Sequence, residues 1–197
     1  MKKLLVALLS IALLASAADF EYNSGGAMGT APTTGGSATG WGEWFIVPIF
    51  NDSGQEISLT ELGFPCGGPA TGAYGWVVWI DVGGLNPPAG EASTADVFGA
   101  FTPVDPDPST SPPLNYTFVD VASENIIIAD GAYFCVGYDN TGIGGQVDFN
   151  GTDTWAWYES AWDGDQAWGR TAVIEVSANF VQALDQHTWG AIKASCF

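Results

Sequence analysis

Asn115-Tyr-Thr-Phe-Val-Asp-Val121, Ile126-Ile-Ile128, Asp130-Gly131 and Ala132-Tyr-Phe-Cys-Val-Gly-Tyr138, closing at Asp139-Asn140, form the stretch whose reading decides the fold. Short runs of β-branched and aromatic residues are divided by turn formers, the pattern of neighbouring antiparallel strands. Side chains alternate along a strand, so Phe134, Val136 and Tyr138 share one face and Tyr133, Cys135 and Gly137 the other. The first set is the expected core.

On the N-terminal side, Tyr74 to Val82 reads as a strand with Trp76, Val78 and Ile80 on one face and Val77 and Trp79 on the other. A shorter strand near Ala95 to Phe101 lies between Pro- and Asp-containing loops. Glu43 to Asn51 is a strand whose Pro48 has no ladder N–H, which places it at an edge or a bulge. Ile57 and Leu59 have one parity and Leu62 and Phe64 the other; a β-bulge near Thr60 and Glu61 returns all four to the core. On the C-terminal side, Asn150-Gly151 is the strongest two-residue hairpin signal, between Val147–Phe149 and Thr152–Tyr158. From Thr171 to Phe180, Ala172, Ile174, Val176, Ala178 and Phe180 point one way and polar residues the other, a half-buried antiparallel strand. A short turn over Trp189–Ala194, with Thr188 as N-cap, is the only helix candidate beyond the N-terminal segment. About nine strands and almost no helix predict an all-β fold, a two-sheet antiparallel β-sandwich of jelly-roll-like form, over residues 41–181.

The ends read differently. Met1-Lys2-Lys3, an apolar run from Leu4 to Leu14 and Ala15-Ser16-Ala17 make residues 1–17 a secretory signal peptide, with cleavage after Ala17 or Ala18. Residues 18–40, rich in Gly, Thr, Ser and Ala without alternation, are expected to be a flexible arm. Residues 182–197 form a C-terminal tail. The expected product is secreted, extracellular or periplasmic, with no membrane insertion after signal cleavage. About 180 residues remain, enough for one domain that removes roughly 70% of its unfolded surface from water.

The 197-residue chain has 22 carboxylates against four Lys and Arg, a net charge of −18. Signal removal takes Lys2 and Lys3 away, leaving Arg170 and Lys193 as the strong bases. Nucleic acid and anionic membrane are poor partners for such a surface, because both require clustered bases to displace counterions. Cys66, Cys135 and Cys196 are an odd set in an oxidising compartment, read as one disulfide and one leftover thiol with three pairings open. Their spacing has no CxxC metal or redox motif.

The order of motifs resembles the jelly-roll-like sandwich modules of exported bacterial proteins of unassigned role. The residues carrying the likeness are Trp44-Phe-Ile-Val-Pro-Ile-Phe50, Ile57-Ser-Leu-Thr-Glu-Leu-Gly-Phe64, Trp76-Val-Val-Trp-Ile-Asp81 with Gly83–Gly90, Ile126–Tyr138 and Ala172–Phe180. Thr188-Trp-Gly-Ala-Ile-Lys193 is also similar to short tails on some exported bacterial proteins. Neither likeness implies a catalytic residue.

Aromatic crowding is the most informative local feature: Trp155, Trp157, Tyr158, Trp162 and Trp168 share one short span, with Trp79 elsewhere. One core face cannot hold rings of both parities, so some belong to an outer face, where they can stack on the apolar C–H faces of sugars or against another protein. The plainer reading is that loops cover them as a second core. Acidic loops offer oxygen ligands for a structural calcium, with Asp163 and Asp165 as the candidates; solvated turns are the blander explanation. No nucleophile-elbow, zinc-protease or phosphate-loop motif is present, and the single His187 lies in the tail. The sequence therefore points to a non-catalytic surface-interaction module that binds polysaccharide or a cell-envelope protein. Two alternatives remain: a structural subunit of an extracellular layer or filament, and a small glycoside-active enzyme, for which Glu159 is the first residue to test.

Overall fold

The alternating runs become strands in a computed structural model of the chain, which describes residues 18–25, 27–33, 36–37, 44–68, 70–84, 92–109, 111–148, 156–158, 162–164 and 171–181. In chain order the strands are β1 (Phe20–Asn23), β2 (Gly36–Ser37), β3 (Trp44–Phe50), β4 (Ile57–Cys66), β5 (Tyr74–Trp79), β6 (Val97–Phe101) and β7 (Asn115–Asp120). They continue with β8 (Ile127–Ile128), β9 (Tyr133–Asp139), β10 (Gln146–Asp148), β11 (Ala156–Tyr158), β12 (Trp162–Gly164), β13 (Thr171–Ala172) and β14 (Glu175–Phe180). Helix among the described residues is confined to two 3₁₀ turns, Ala92–Thr94 and Ala122–Glu124.

Strand pairing is antiparallel throughout. One sheet has the order β1-β14-β4-β7, with β8 also on β4; a second has the order β12-β11-β3-β9-β5-β6; three short strands, β13-β10-β2, form a minor sheet. The result is an all-β sandwich. Its two large sheets share one core: Phe45, Val47, Trp76, Val78, Phe134, Val136 and Tyr138 from the six-stranded sheet meet Ile57, Leu59, Leu62, Phe64, Val176 and Ala178 from the other. Each such large apolar side chain contributes about 1.5–3 kcal/mol by leaving water.

The bulge sits at Thr60. Leu59 pairs with Ala178 and Glu61 with Ser177, so Thr60 is the extra residue on β4. Its hydroxyl donates to the Ser177 carbonyl at 3.1 Å, and its carbonyl accepts from Val121 N–H at 2.9 Å. All four flanking apolar residues, Ile57, Leu59, Leu62 and Phe64, are fully buried. Pro48 is not on an edge strand: β3 lies inside its sheet. β11 covers only Trp44–Ile46, however, so Pro48 pairs with β9 alone, opposite Cys135, and its missing N–H breaks no pair with β11.

Three further expectations are corrected. The arm expected over 18–40 contains β1, which pairs with β14 from Phe20↔Ala178 to Asn23↔Glu175. Phe20 and Tyr22, two residues apart, pack on the core, a short alternation that outweighs the small polar residues after it. Beyond it, the Ser24 hydroxyl donates to the Ala172 carbonyl at 2.6 Å and accepts from Ile174 N–H at 2.8 Å, bridging the step from β13 to β14. Gln146 Nε2 donates to the Pro32 carbonyl at 2.6 Å, holding the segment further along. Secondly, the runs beside Asn150-Gly151 do not pair with each other. β10 joins β13 and β2, while β11 joins β3 and β12, so the chain changes sheets between them.

The third correction concerns the cysteines. Cys66 and Cys135 are free and buried in separate apolar clusters, on the core face of β4 and the outer face of β9. Each of the three conceivable pairings needs one of them, so the expected disulfide is not formed. Burial pushes the Cys66 thiol up to about 11, against a lowering hydrogen bond to Thr117, and the Cys135 thiol up to about 12. Residues 1–17 and the tail 182–197, with His187, Trp189–Ala194 and Cys196, lie outside the described residues.

Candidate functional site

Alternation that sends Phe45, Trp76, Val78, Phe134 and Val136 into the core sends Ile46, Val77, Trp79 and Cys135 to the outer face of the six-stranded sheet, where they form a second apolar cluster. The segment around the Ala92–Thr94 turn folds over this cluster, with Ala92 and Ala95 packed on it. Trp79 Nε1 donates to Thr94 Oγ1 at 3.3 Å, and Ile80 N–H donates to Asp96 Oδ2 at 2.6 Å, fastening the cover. Trp79 is thereby only 4% exposed and belongs to a secondary core, offering no open ring.

Beyond the cover, the face opens into a cleft of about 330 Å³. Its floor is β5 and β6 at Gly75, Val77 and Gly99; Trp44 and Phe98 are its aromatic walls, with Trp76 also at the lining; Ala92 and Ser93 form the rim. Gly75 makes this shape: a Cβ there would lie 2.5 Å from Trp44 Cη2, so that indole lies against bare backbone. A Cβ at Gly99 would lie 2.5 Å from the Trp76 ring, which is on the core face, so Gly99 seats the core indole instead. Any larger residue at either position would displace an indole.

Phe98 is 73% exposed, well beyond Phe50 at 41% and Phe118 at 43%. Those two have ring partners, Tyr133 at 4.6 Å and Tyr116 at 5.4 Å. Phe98 has no ring partner among the described residues. Exposing this ring costs free energy that a contact would recover.

The crowded aromatic span reaches the same sheet. Trp162 pairs with Tyr158, Tyr158 with Trp44, and Trp44 with Asp139, a cross-strand row with three successive aromatic positions. Trp157 stands in register with Phe45 and with Asp163. For Trp157, Tyr158, Trp162 and Asp163 the description is of backbone and register. Trp155, Trp168, Asp165 and Glu159 lie outside the described residues. Asp163 belongs to β12 rather than to a loop. Among the described residues, no three His, Cys, Asp or Glu side chains converge to hold a metal ion.

Sequence reasoning missed Trp44 and Phe98. A signal for Trp44 existed: it shares parity with Ile46, opposite to the core pair Phe45 and Val47. Phe98 has the opposite parity to Phe101, the buried end of its strand. What the sequence lacks is the place where the cover stops.

The five-stranded sheet presents a polar outer face. Glu21, Ser177, Glu61 and Asp120 are register partners across β1, β14, β4 and β7, and they line a cleft of about 400 Å³ together with Ala18, Thr60, Ala122 and Asn179. Burial, then the Glu175 and Asp120 carboxylates, raise the Glu61 carboxyl above its ordinary value.

No protein-family model, curated protein or solved structure matches the chain. The fold and the outer-face cleft are the grounds for a functional reading.

Proposed function

We propose that this is an exported, non-catalytic β-sandwich that binds polysaccharide through the aromatic cleft on the outer face of its six-stranded sheet. The observation that carries the reading is the Trp44 indole lying against Gly75 beside the exposed Phe98 ring. Pyranose rings present flat apolar C–H faces, and two aromatic walls over a side-chain-free floor give them a stacking surface. The Ser93 hydroxyl at the rim is available to orient sugar hydroxyls. A net charge of −18 disfavours acidic glycans, so neutral polysaccharides are the expected class.

Retention on insoluble neutral glycans tests this. Wild-type protein is expected to be retained, and Trp44→Ala and Phe98→Ala are each expected to weaken retention about tenfold, about 1.4 kcal/mol. Absence of wild-type retention across the panel would remove the sugar reading and leave a cell-envelope protein as the partner to seek.

One observation favours a second reading, a subunit of an extracellular layer. Among the described residues β6 is the last strand of its sheet and carries Phe98, so within them an edge with an exposed ring is open to another copy. A monomer in sedimentation at high concentration would dismiss it.

A further inference from the structure

Directly opposed residues of neighbouring antiparallel strands lie on the same face of a sheet. Trp162 of β12 is opposite Tyr158 of β11, Tyr158 is opposite Trp44 of β3, and Trp44 is opposite Asp139 of β9. One residue on from the Trp76↔Tyr138 pair, Gly75 of β5 comes next in the same line. The aromatic cleft is thus one end of a row that crosses the strands on the outer face, and the other end carries an aromatic residue at each of three successive strands. We propose that this row is the binding track of a single extended, β-linked neutral glycan chain, with the cleft as its terminal subsite and Trp44, Tyr158 and Trp162 as successive stacking positions.

The inference rests on the sugar reading above and adds the shape of the ligand. Neighbouring strands lie about 4.8 Å apart, so the four steps from β12 to β5 cover about 19 Å. A pyranose in an extended β-1,4-linked chain advances by about one strand spacing, so the row matches roughly five units, one to a strand. Trp44 serves two of these places. Its Cη2 reaches the point where a Cβ of Gly75 would stand, so the indole spans β9, which lies between its own strand and β5. Asp139, the β9 position in the row, turns back along its own chain, where Oδ1 accepts from Thr141 N–H at 2.8 Å.

Shape and charge narrow the ligand further. Each strand is rotated by about 20–25° from the last, a turn that the two linkage torsions between β-linked sugars can follow. An α-1,4-linked chain coils instead and leaves the row after its first units. The row positions Trp162, Tyr158, Trp44, Asp139 and Gly75 include no base, so nothing in the line selects an anionic sugar.

Calorimetric titration with soluble β-1,4-linked glucose and mannose oligosaccharides, from disaccharide to hexasaccharide, tests the track. Affinity is expected to rise about threefold to tenfold with each added unit that meets a ring, and to level off at the pentasaccharide. The α-1,4-linked glucose series should gain nothing beyond the disaccharide. Trp162→Ala and Tyr158→Ala should each remove about threefold to tenfold of the pentasaccharide affinity and leave the disaccharide unchanged, whereas Trp44→Ala weakens every length. Equal affinity for disaccharide and pentasaccharide, the same gain in the α-linked series, or a folded Trp162→Ala that keeps the full gain overturns the track and leaves the cleft standing. The length series on the wild type decides even where a variant does not fold. No binding at any length overturns the cleft reading and the track with it.

Discussion

Tyr138 shows how one residue can serve and tax the same core. Its ring meets Phe45 edge-on at 5.7 Å and Phe64 at 5.0 Å, and the side chain is fully buried. Its hydroxyl has no hydrogen-bond partner among the described residues, and burial, then the neighbouring Cys66 and Tyr116, raise its pKa well above the ordinary value. An unpaired buried hydroxyl costs about 1–3 kcal/mol, so Tyr138→Phe is expected to leave the packing unchanged and raise stability in denaturant titration. The buried thiols lead to a kinetic prediction. Cys66 and Cys135, raised to about 11 and about 12, stay protonated at pH 8, so a thiol reagent should modify them only at the rate at which the fold opens. Rapid labelling of either in the native protein would contradict this placement. Above pH 9 the sign is fixed: unfolded thiols lose protons before the folded ones, so stability falls as pH rises toward those values.

At the scale of elements, the bulge and the glycine floor are the features that a single change can remove. Deleting Thr60 leaves Ile57, Leu59, Leu62 and Phe64 in one regular alternation, so all four keep the core face and the deletion is expected to cost only the bonds that Thr60 makes, about 1–3 kcal/mol in denaturant titration, while Thr60→Ser should be tolerated. Gly75→Ala, with its Cβ 2.5 Å from Trp44, is expected to displace the indole and weaken glycan retention while the melting temperature changes little; Gly99→Ala instead presses on Trp76 and should lower stability as well. The bulge was legible in the sequence because four large apolar residues with a parity break have only one way to stay buried. The strand faces of β5 and β9 were legible for the same reason. The exchange of sheets between β10 and β11 was not, since Asn-Gly signals a tight turn but says nothing of which strands find partners. Nor was β1: Phe20 and Tyr22 are too short an alternation to stand out before a Gly-rich run. The cleft was not legible: the surplus rings of an outer face were read as Trp79, Trp155, Trp157, Tyr158, Trp162 and Trp168, and none of these lines it. Its position depends on how far the turn at Ala92–Thr94 reaches across the sheet, a tertiary matter that no local pattern encodes.

For the molecule as a whole, a net charge of −18 makes self-repulsion a standing cost, so added salt should raise the melting temperature over the range where surface charges are screened. Glu61 adds a local contribution. Its folded pKa exceeds the unfolded value, so the fold takes up a proton more readily than the unfolded chain, and stability falls as pH rises from the ordinary carboxylate value through the raised one. Glu61→Gln should flatten this slope and melt higher at pH 7. The proposed binding turns on Trp44, because the sandwich builds a second face and that indole lines the cleft on it. Nuclear magnetic resonance of nitrogen-labelled protein, titrated with soluble neutral oligosaccharides, reads each indole N–H separately. The account predicts that the Trp44 resonance shifts to saturation while that of Trp79, fastened beneath its cover, stays in place; saturable binding that leaves Trp44 unmoved, or no binding by any oligosaccharide, would contradict it.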